Sequence, residues 1–361
     1  MTALPHIAYF LGANAPTGFC SLYSELLPPE EARAIYILKG GPGCGKSTLM
    51  RRIGARMEQE GLETEYILCS GDPASLDALV LPQLRVALVD GTAPHVVEPK
   101  YPGAVERYIN MGLCYDTAAL FCLREEIMSC MSGYKGCYQR AYRCLEASAS
   151  IGEDVRSTLL TDGLSEKLAK RARGILSREV GRGRRAGASG QVKQRFLGAV
   201  THMGKLCLYD TALAQCGRIY ELSDSYGLAH ELLSSLLAGA VAAGCDVVAC
   251  PDPMAPDRLA HLLLPKLGLA FLSSTPALPF PGTPYRRIRL DAAVDKDLLR
   301  RSRPRLRFVR KVAAALEEEA VASLAQAKAM HDELEAVYNP FVDFALADQM
   351  AQAIGDEILA L

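Results

Sequence analysis

The residues best suited to chemistry lie at 38–50, LKGGPGCGKSTLM. Gly40, Gly45, Lys46 and Ser47 fit the spacing GxxxxGK[ST], the pattern of a phosphate-binding loop. Glycines let a backbone wrap a triphosphate and aim N–H groups at it. A helix beginning at the lysine adds a favourable dipole. The expected cradle is Gly40, Gly41, Pro42, Gly43, Cys44, Gly45, Lys46, Ser47 and Thr48. In it Lys46 neutralises the β- and γ-phosphates and Ser47 offers its hydroxyl to Mg²⁺, with Thr48 in support. A second metal-side carboxylate is expected at the end of a neighbouring strand, and LRVALVDGTAPH (84–95) supplies Asp90 for it. No glutamate follows Asp90, so the water-activating base is open. His95 and Asp72 are the two candidates. His95 lies just past Asp90, and Asp72 follows the apolar run EYILCS (65–70). Asp72 is followed by Pro73, a pair that also reads as a helix N-cap with proline in the first turn.

The elements that would hold these residues are legible around them. AIYIL (34–38) reads as a buried strand entering the loop. Leu49, Met50, Ile53 and Met57 share one helical face after it, and Gly61 can close that helix. Strands are predicted near 7–11, 35–38, 65–69, 85–90 and 107–111, with crossing helices between them. That alternation implies a mainly parallel sheet of about five strands, covered on both faces.

The same order recurs downstream. FLGA at 10–13 returns at 196–199, Ile35-Tyr36 as Ile219-Tyr220, and Gly61 as Gly244. Asp72-Pro73 returns as Asp252-Pro253, Pro82-Gln83-Leu84 as Pro265-Lys266-Leu267, and Asp116 as Asp295. The expected architecture is therefore α/β, with two tandem P-loop NTPase-like domains at 1–177 and 196–361. A Gly- and Arg-rich stretch at 178–195 reads as a flexible basic linker. RIYELSDSYGLAHELL (218–233) is then the second copy's loop. The alignment, ungapped across the loop, sets Gly40 against Asp224, Gly45 against Ala229, Lys46 against His230 and Ser47 against Glu231, and with a small drift it sets Asp90 against Ser273. Asp224 and Glu231 put two acids where a triphosphate would go, so the second half is expected to keep the fold without the nucleotide site.

Each sheet is followed by a helical arm, near 117–150 and 297–337, with the spacing of paired helices. The arms could pack together or bind a protein partner. Arginines of the basic runs at 285–290 and 298–311 could reach the phosphates of the first half. Nucleic acid is not favoured as a partner: no aromatics interleave with these charges, there is no tryptophan, and the net charge is −1. Twelve cysteines form no CxxC pair, and MTALPHIAYF does not read as a signal peptide. A cytosolic location without a membrane anchor is expected. The apolar run 232–250 is read as helix, turn and strand rather than a membrane span.

With KGGPGCGKSTLM (39–50), CSGDPASLD (69–77) and VDGTAPHVVEPKYPGAVE (89–106), nearly the whole chain resembles the tandem P-loop ATPase-like proteins of Firmicutes. In that family both halves can carry a good phosphate loop, and this sequence departs from it in the second. The resemblance implies ATP and Mg²⁺ as ligands and ATP hydrolysis as the activity. The alternatives carried beside it are a small-molecule or nucleoside kinase, a nucleotide-switched binding module and, weakest, a DNA-associated motor.

Overall fold

The computed structural model describes residues 7–93, 96–181 and 189–361. The strands of the first half are β1 (Ala8–Tyr9), β2 (Gly12–Ala15), β3 (Gly18–Ser21), β4 (Ala34–Lys39), β5 (Glu65–Leu68), β6 (Leu76–Leu81), β7 (Val86–Asp90) and β8 (Glu106–Asn110). Six of them form one sheet in the order β1-β5-β6-β7-β4-β8, and β2–β3 is a separate hairpin. The second half repeats this with β9 (Val192–Gln194), the hairpin β10 (Gly198–Thr201) and β11 (Gly204–Cys207), then β12 (Arg218–Ser223), β13 (Val247–Asp252), β14 (Ala255–Leu264), β15 (Leu269–Ser274) and β16 (Arg286–Arg289). Its sheet order is β9-β13-β14-β15-β12-β16, the same arrangement strand for strand.

Each sheet has six strands, one more than the sequence suggested. The extra strand, β6 or β14, runs antiparallel to both neighbours while the other pairings are parallel. Asp72-Pro73 therefore opens no helix. The Asp72 carboxylate accepts from the Ala74 N–H, and Ser75 N–H closes the turn on the Asp72 carbonyl, so the chain reverses into β6. Asp252 accepts from Met254 N–H in the same way. The repeated Pro-x-Leu is the next reversal, out of β6 and β14. Its fourth residue is left-handed in both halves, Arg85 at φ 55° and Gly268 at φ 60°.

The helices are α1 (Lys46–Gln59), α2 (Thr117–Cys122), α3 (Arg124–Leu159), α4 (Asp162–Glu179), α5 (Tyr209–Gln215), α6 (Ala229–Ala242), α7 (Lys296–Tyr338) and α8 (Phe344–Ala360). The two arms pack on each other. Cys137 meets Met330, Ser148 meets Glu317 and Asp154 meets Arg305, so α3 and α7 run antiparallel. The shorter helices cross over. From the second half, α8 lies on α1 through Arg52–Asp348 and Arg56–Asp356. From the first, α4 lies on α6, where Leu176 closes on Gly239. Where the two copies meet, Phe10 and Phe196 exchange both backbone hydrogen bonds, each at 2.9 Å. They are the first residues of the two FLGA strings, so the duplication is also an approximate two-fold axis.

The 178–195 stretch is structured at both ends. It begins inside α4, it contains β9 paired with β13, and it ends at the fully buried Arg195. Residues 182–188 of it lie outside the described residues. Arg195 donates to Glu65 at 2.6 Å and to the carbonyls of Glu25 and Leu26, which joins the halves through a buried ion pair. The run 232–250 is α6, a turn at Gly244 and β13, and no helix among the described residues is long and apolar enough to cross a membrane.

Candidate functional site

The first loop sits at the C-terminal end of β4, between β7 and β8, both parallel to it. Its strand is buried from Ala34 to Leu38, which fixes where the loop emerges. Gly43 and Gly45 have φ of 70° and 86°, a region that side chains resist, and Gly45 is the N-cap of α1. Leu49, Met50, Ile53 and Met57 are buried, as their spacing predicted. The Lys46 ammonium donates to the carbonyls of Gly40 at 2.8 Å and Gly41 at 2.9 Å. It also lies 3.6 Å from Asp90 Oδ2. Ser47 Oγ accepts from the Leu76 N–H at 2.9 Å, and Thr48 is exposed. Asp90 Oδ1 is held by Thr92, through its N–H at 2.9 Å and its hydroxyl at 2.6 Å. The structure thus brings Lys46, Ser47 and Asp90 to one place.

Other expectations fare differently. His95 lies outside the described residues. Asp72 is paired with Lys328 of α7 at 3.4 Å. The basic run of α7 does not reach this loop. The helix is antiparallel to α3, and its far end, Glu335 to Asn339, is what meets Gly43. Arg310 is twenty-five residues earlier, about 38 Å along a helix.

Sequence reasoning missed the cover over this loop. The Tyr115 hydroxyl donates to the Pro42 carbonyl at 2.9 Å, and burial, followed by the nearby Cys44, pushes its pKa far up, so it stays a neutral donor. A Cβ on Gly43 would lie 2.8 Å from Asn339 Oδ1, and one on Gly45 would lie 4.0 Å from Phe344. Asn339 and Phe344 belong to the α7–α8 connection, which Asp343 N–H ties back to the Cys114 carbonyl at 2.7 Å. The only available signal was Asn339-Pro340, a break after a long helical pattern.

The second loop has the same place in its sheet and a different interior. It is one residue shorter than the ungapped alignment assumed. The first residues of α1 and α6 are Lys46 and Ala229, so Ala229, not His230, is the counterpart of Lys46. The hydrogen bonds agree: His230 Nδ1 accepts from the Leu259 N–H at 3.1 Å, as Ser47 Oγ does from Leu76. Gly227 keeps the left-handed φ of Gly43, while the residue matching Gly45 is missing. The Asp224 carboxylate fills the loop from within. It accepts from Tyr226 N–H at 3.0 Å and from Ala229 N–H, at the helix start, at 2.7 Å. Burial pushes the Asp224 pKa up, and these N–H groups oppose that. Asp291 takes the Ser225 N–H at 2.9 Å. The donors that could face an anion here already face carboxylates.

Arg156 of α3 lies over this second loop, as Glu335 of α7 lies over the first. Its stem is 3.5 Å from where a Gly227 Cβ would be. Its guanidinium is bidentate on Glu153 at 2.7 and 2.9 Å and lies 3.6 Å from Glu231. Beside this loop opens a cavity of about 750 Å³. Comparison with protein-family models, curated proteins and solved structures finds no match to this chain.

Proposed function

We propose that the first loop binds a Mg–nucleoside triphosphate, ATP in the first instance, and that the first half hydrolyses it while the second half acts as a non-hydrolysing counterpart. The observation that carries this reading is one juxtaposition. A glycine loop leads from a buried parallel strand into a helix, with Lys46 3.6 Å from a carboxylate on the adjacent parallel strand. The donor set fits a hard divalent ion: Ser47 Oγ has a lone pair beyond the one given to Leu76, and Asp90 Oδ2 is not engaged by Thr92. Bound there, Mg²⁺ would neutralise charge developing on the β- and γ-phosphates.

On this reading Lys46 exchanges two neutral carbonyl partners for the phosphate oxygens, a charge-assisted contact that is stronger than either. Loop N–H groups and the start of α1 stabilise the same charge. Water attacks the γ-phosphate in line, and its orienting base is unassigned. Tandem P-loop ATPase-like ancestry is part of the proposal, as is the resemblance from which it came.

The test is phosphate release from Mg–ATP with no added acceptor. Turnover is expected, and Lys46→Ala should lower kcat/KM by about a hundredfold or more. ADP formation that requires an acceptor would support a kinase instead. The α7–α8 cover on the loop favours one second reading, a nucleotide-operated switch. Tight ATP binding with negligible phosphate release would support that.

A further inference from the structure

The cavity beside the second loop exists because its filling side chains are missing. The arms correspond residue by residue: Ala141, Leu145 and Val155 of α3 are buried, and so are Ala320, Leu324 and Leu334 of α7. Asp116 and Asp295 are the matching N-caps. In the first half Tyr138 fills the space by the β5–β6 turn, its hydroxyl 2.8 Å from a Cβ position on Gly71, and Tyr134 packs edge-on against it. At the corresponding places α7 carries Glu317 and Ala313, and Met131 is matched by Arg310. Two large rings have become a carboxylate turned aside and a methyl group, which leaves about 750 Å³ between α3, α7, the β2–β3 turn and the end of the second sheet.

The walls define a ligand. Val155, Leu206, Leu259, Leu278, Leu306 and Val309 make them largely apolar. The acids at the wall are committed. Glu317 takes Lys205 and Ser148, while Asp224 and Asp252 take backbone N–H groups. Asp257 is mostly exposed, 3.9 Å from Arg258. Glu153 is shared by Arg156 and Arg258, at 2.7 and 2.6 Å, and Glu231 lies 3.6 Å from Arg156, so these four side chains balance in charge. Arg310 at the same wall has no carboxylate partner among the described residues and supplies an unbalanced positive charge. The volume is within the range of small-molecule sites.

We propose that this cavity binds a small anionic molecule with an apolar body, a carboxylate, sulfonate or phosphate ester, its charge met by Arg310. The phosphate-type loop takes no part, because Asp224 occupies it. The site lies in the second half and stands whether or not Lys46 meets a nucleotide.

The test uses the full chain and two fluorescent probes that differ only in charge, 8-anilinonaphthalene-1-sulfonate and its neutral parent N-phenyl-1-naphthylamine. The sulfonate should bind saturably at one site per chain. Arg310→Met, which installs the first half's residue, should weaken the sulfonate about tenfold and leave the neutral probe nearly unchanged. Ala313→Tyr should abolish binding of both, and Thr17→Trp fills the space from the hairpin wall should the first variant misfold. Circular dichroism and Tm verify folding of each variant. Sulfonate binding that survives both filling variants, equal loss of both probes on Arg310→Met, or no saturable binding would overturn the proposal. Binding of ATP should be unaltered in Arg310→Met.

Discussion

The two loops of this molecule occupy the same position in the same strand order, yet they treat negative charge in opposite ways. At the first, a lysine and a hydroxyl stand at the helix start and no acid lies between Gly40 and Lys46. At the second, a carboxylate from the loop itself accepts from the helix N-terminus. The covers differ as well: the Glu335 carbonyl and the Asn339 side chain lie over the first loop, and the Arg156 side chain lies over the second. A duplicated sheet can therefore keep its geometry while one copy turns its anion site inward. The hydrogen bonds that hold the loop have changed partners.

The largest expected effect that separates the halves is acid sensitivity. His261 on β14 is buried where β6 has Ala78, and burial pushes its pKa down to about 3. Its Nδ1 accepts from Ser273 N–H at 3.2 Å, which needs the neutral ring. The folded pKa lies below the ordinary value of 6.5, so the unfolded chain binds the proton first. Stability should fall as the pH drops below 6.5, by about 1.4 kcal/mol per pH unit once the slope is established. His261→Ala should flatten that slope in urea titrations between pH 6 and 5, and an unchanged slope would contradict the assignment. Glu65 adds a further loss at lower pH. Burial opposes its charge, but Arg195 and Lys193 outweigh that and hold its pKa below 4.5, so its contribution is present above 4.5 and fades beneath it.

Next in size is the internal carboxylate. Asp224→Ala strips the Tyr226 and Ala229 N–H groups of their acceptor and should cost about 1–3 kcal/mol in chemical denaturation. Gly40, its counterpart, has no such role. Asp224→Ala should still confer no nucleotide site, since Ala229 and Ser273 stand where Lys46 and Asp90 do; a second equivalent of bound ATP would break the comparison. The smallest effect is in the cover. Tyr115→Phe loses one hydrogen bond to Pro42, worth about 1 kcal/mol, and should change ATP affinity severalfold, measured by calorimetry.

Much of this was legible beforehand. The repeat, the loop, Asp90 and the five parallel strands of each half followed from apolar runs and matched punctuation. The sixth strand did not, because LDALVL (76–81) is buried on both faces and shows no alternation, and Asp72-Pro73 signals a turn as readily as a cap. The register of the second loop slipped because a single-residue deletion is invisible between dissimilar residues. The starts of α1 and α6 and the hydrogen bonds of Ser47 and His230 reveal it. The cover and the cavity were out of reach for a different reason. Both depend on the antiparallel packing of α3 on α7, which sets Asn339 over Gly43 and Arg156 over Gly227, pairs 296 and 71 residues apart in sequence.

The central claim is that one loop of the two takes a triphosphate. Equilibrium titration of the full chain with a fluorescent, non-hydrolysable ATP analogue and Mg²⁺ tests it most directly. One equivalent per chain, lost in Lys46→Ala and retained in His230→Ala, is the expected result. Two equivalents, or one that survives Lys46→Ala and disappears with His230→Ala, would contradict it.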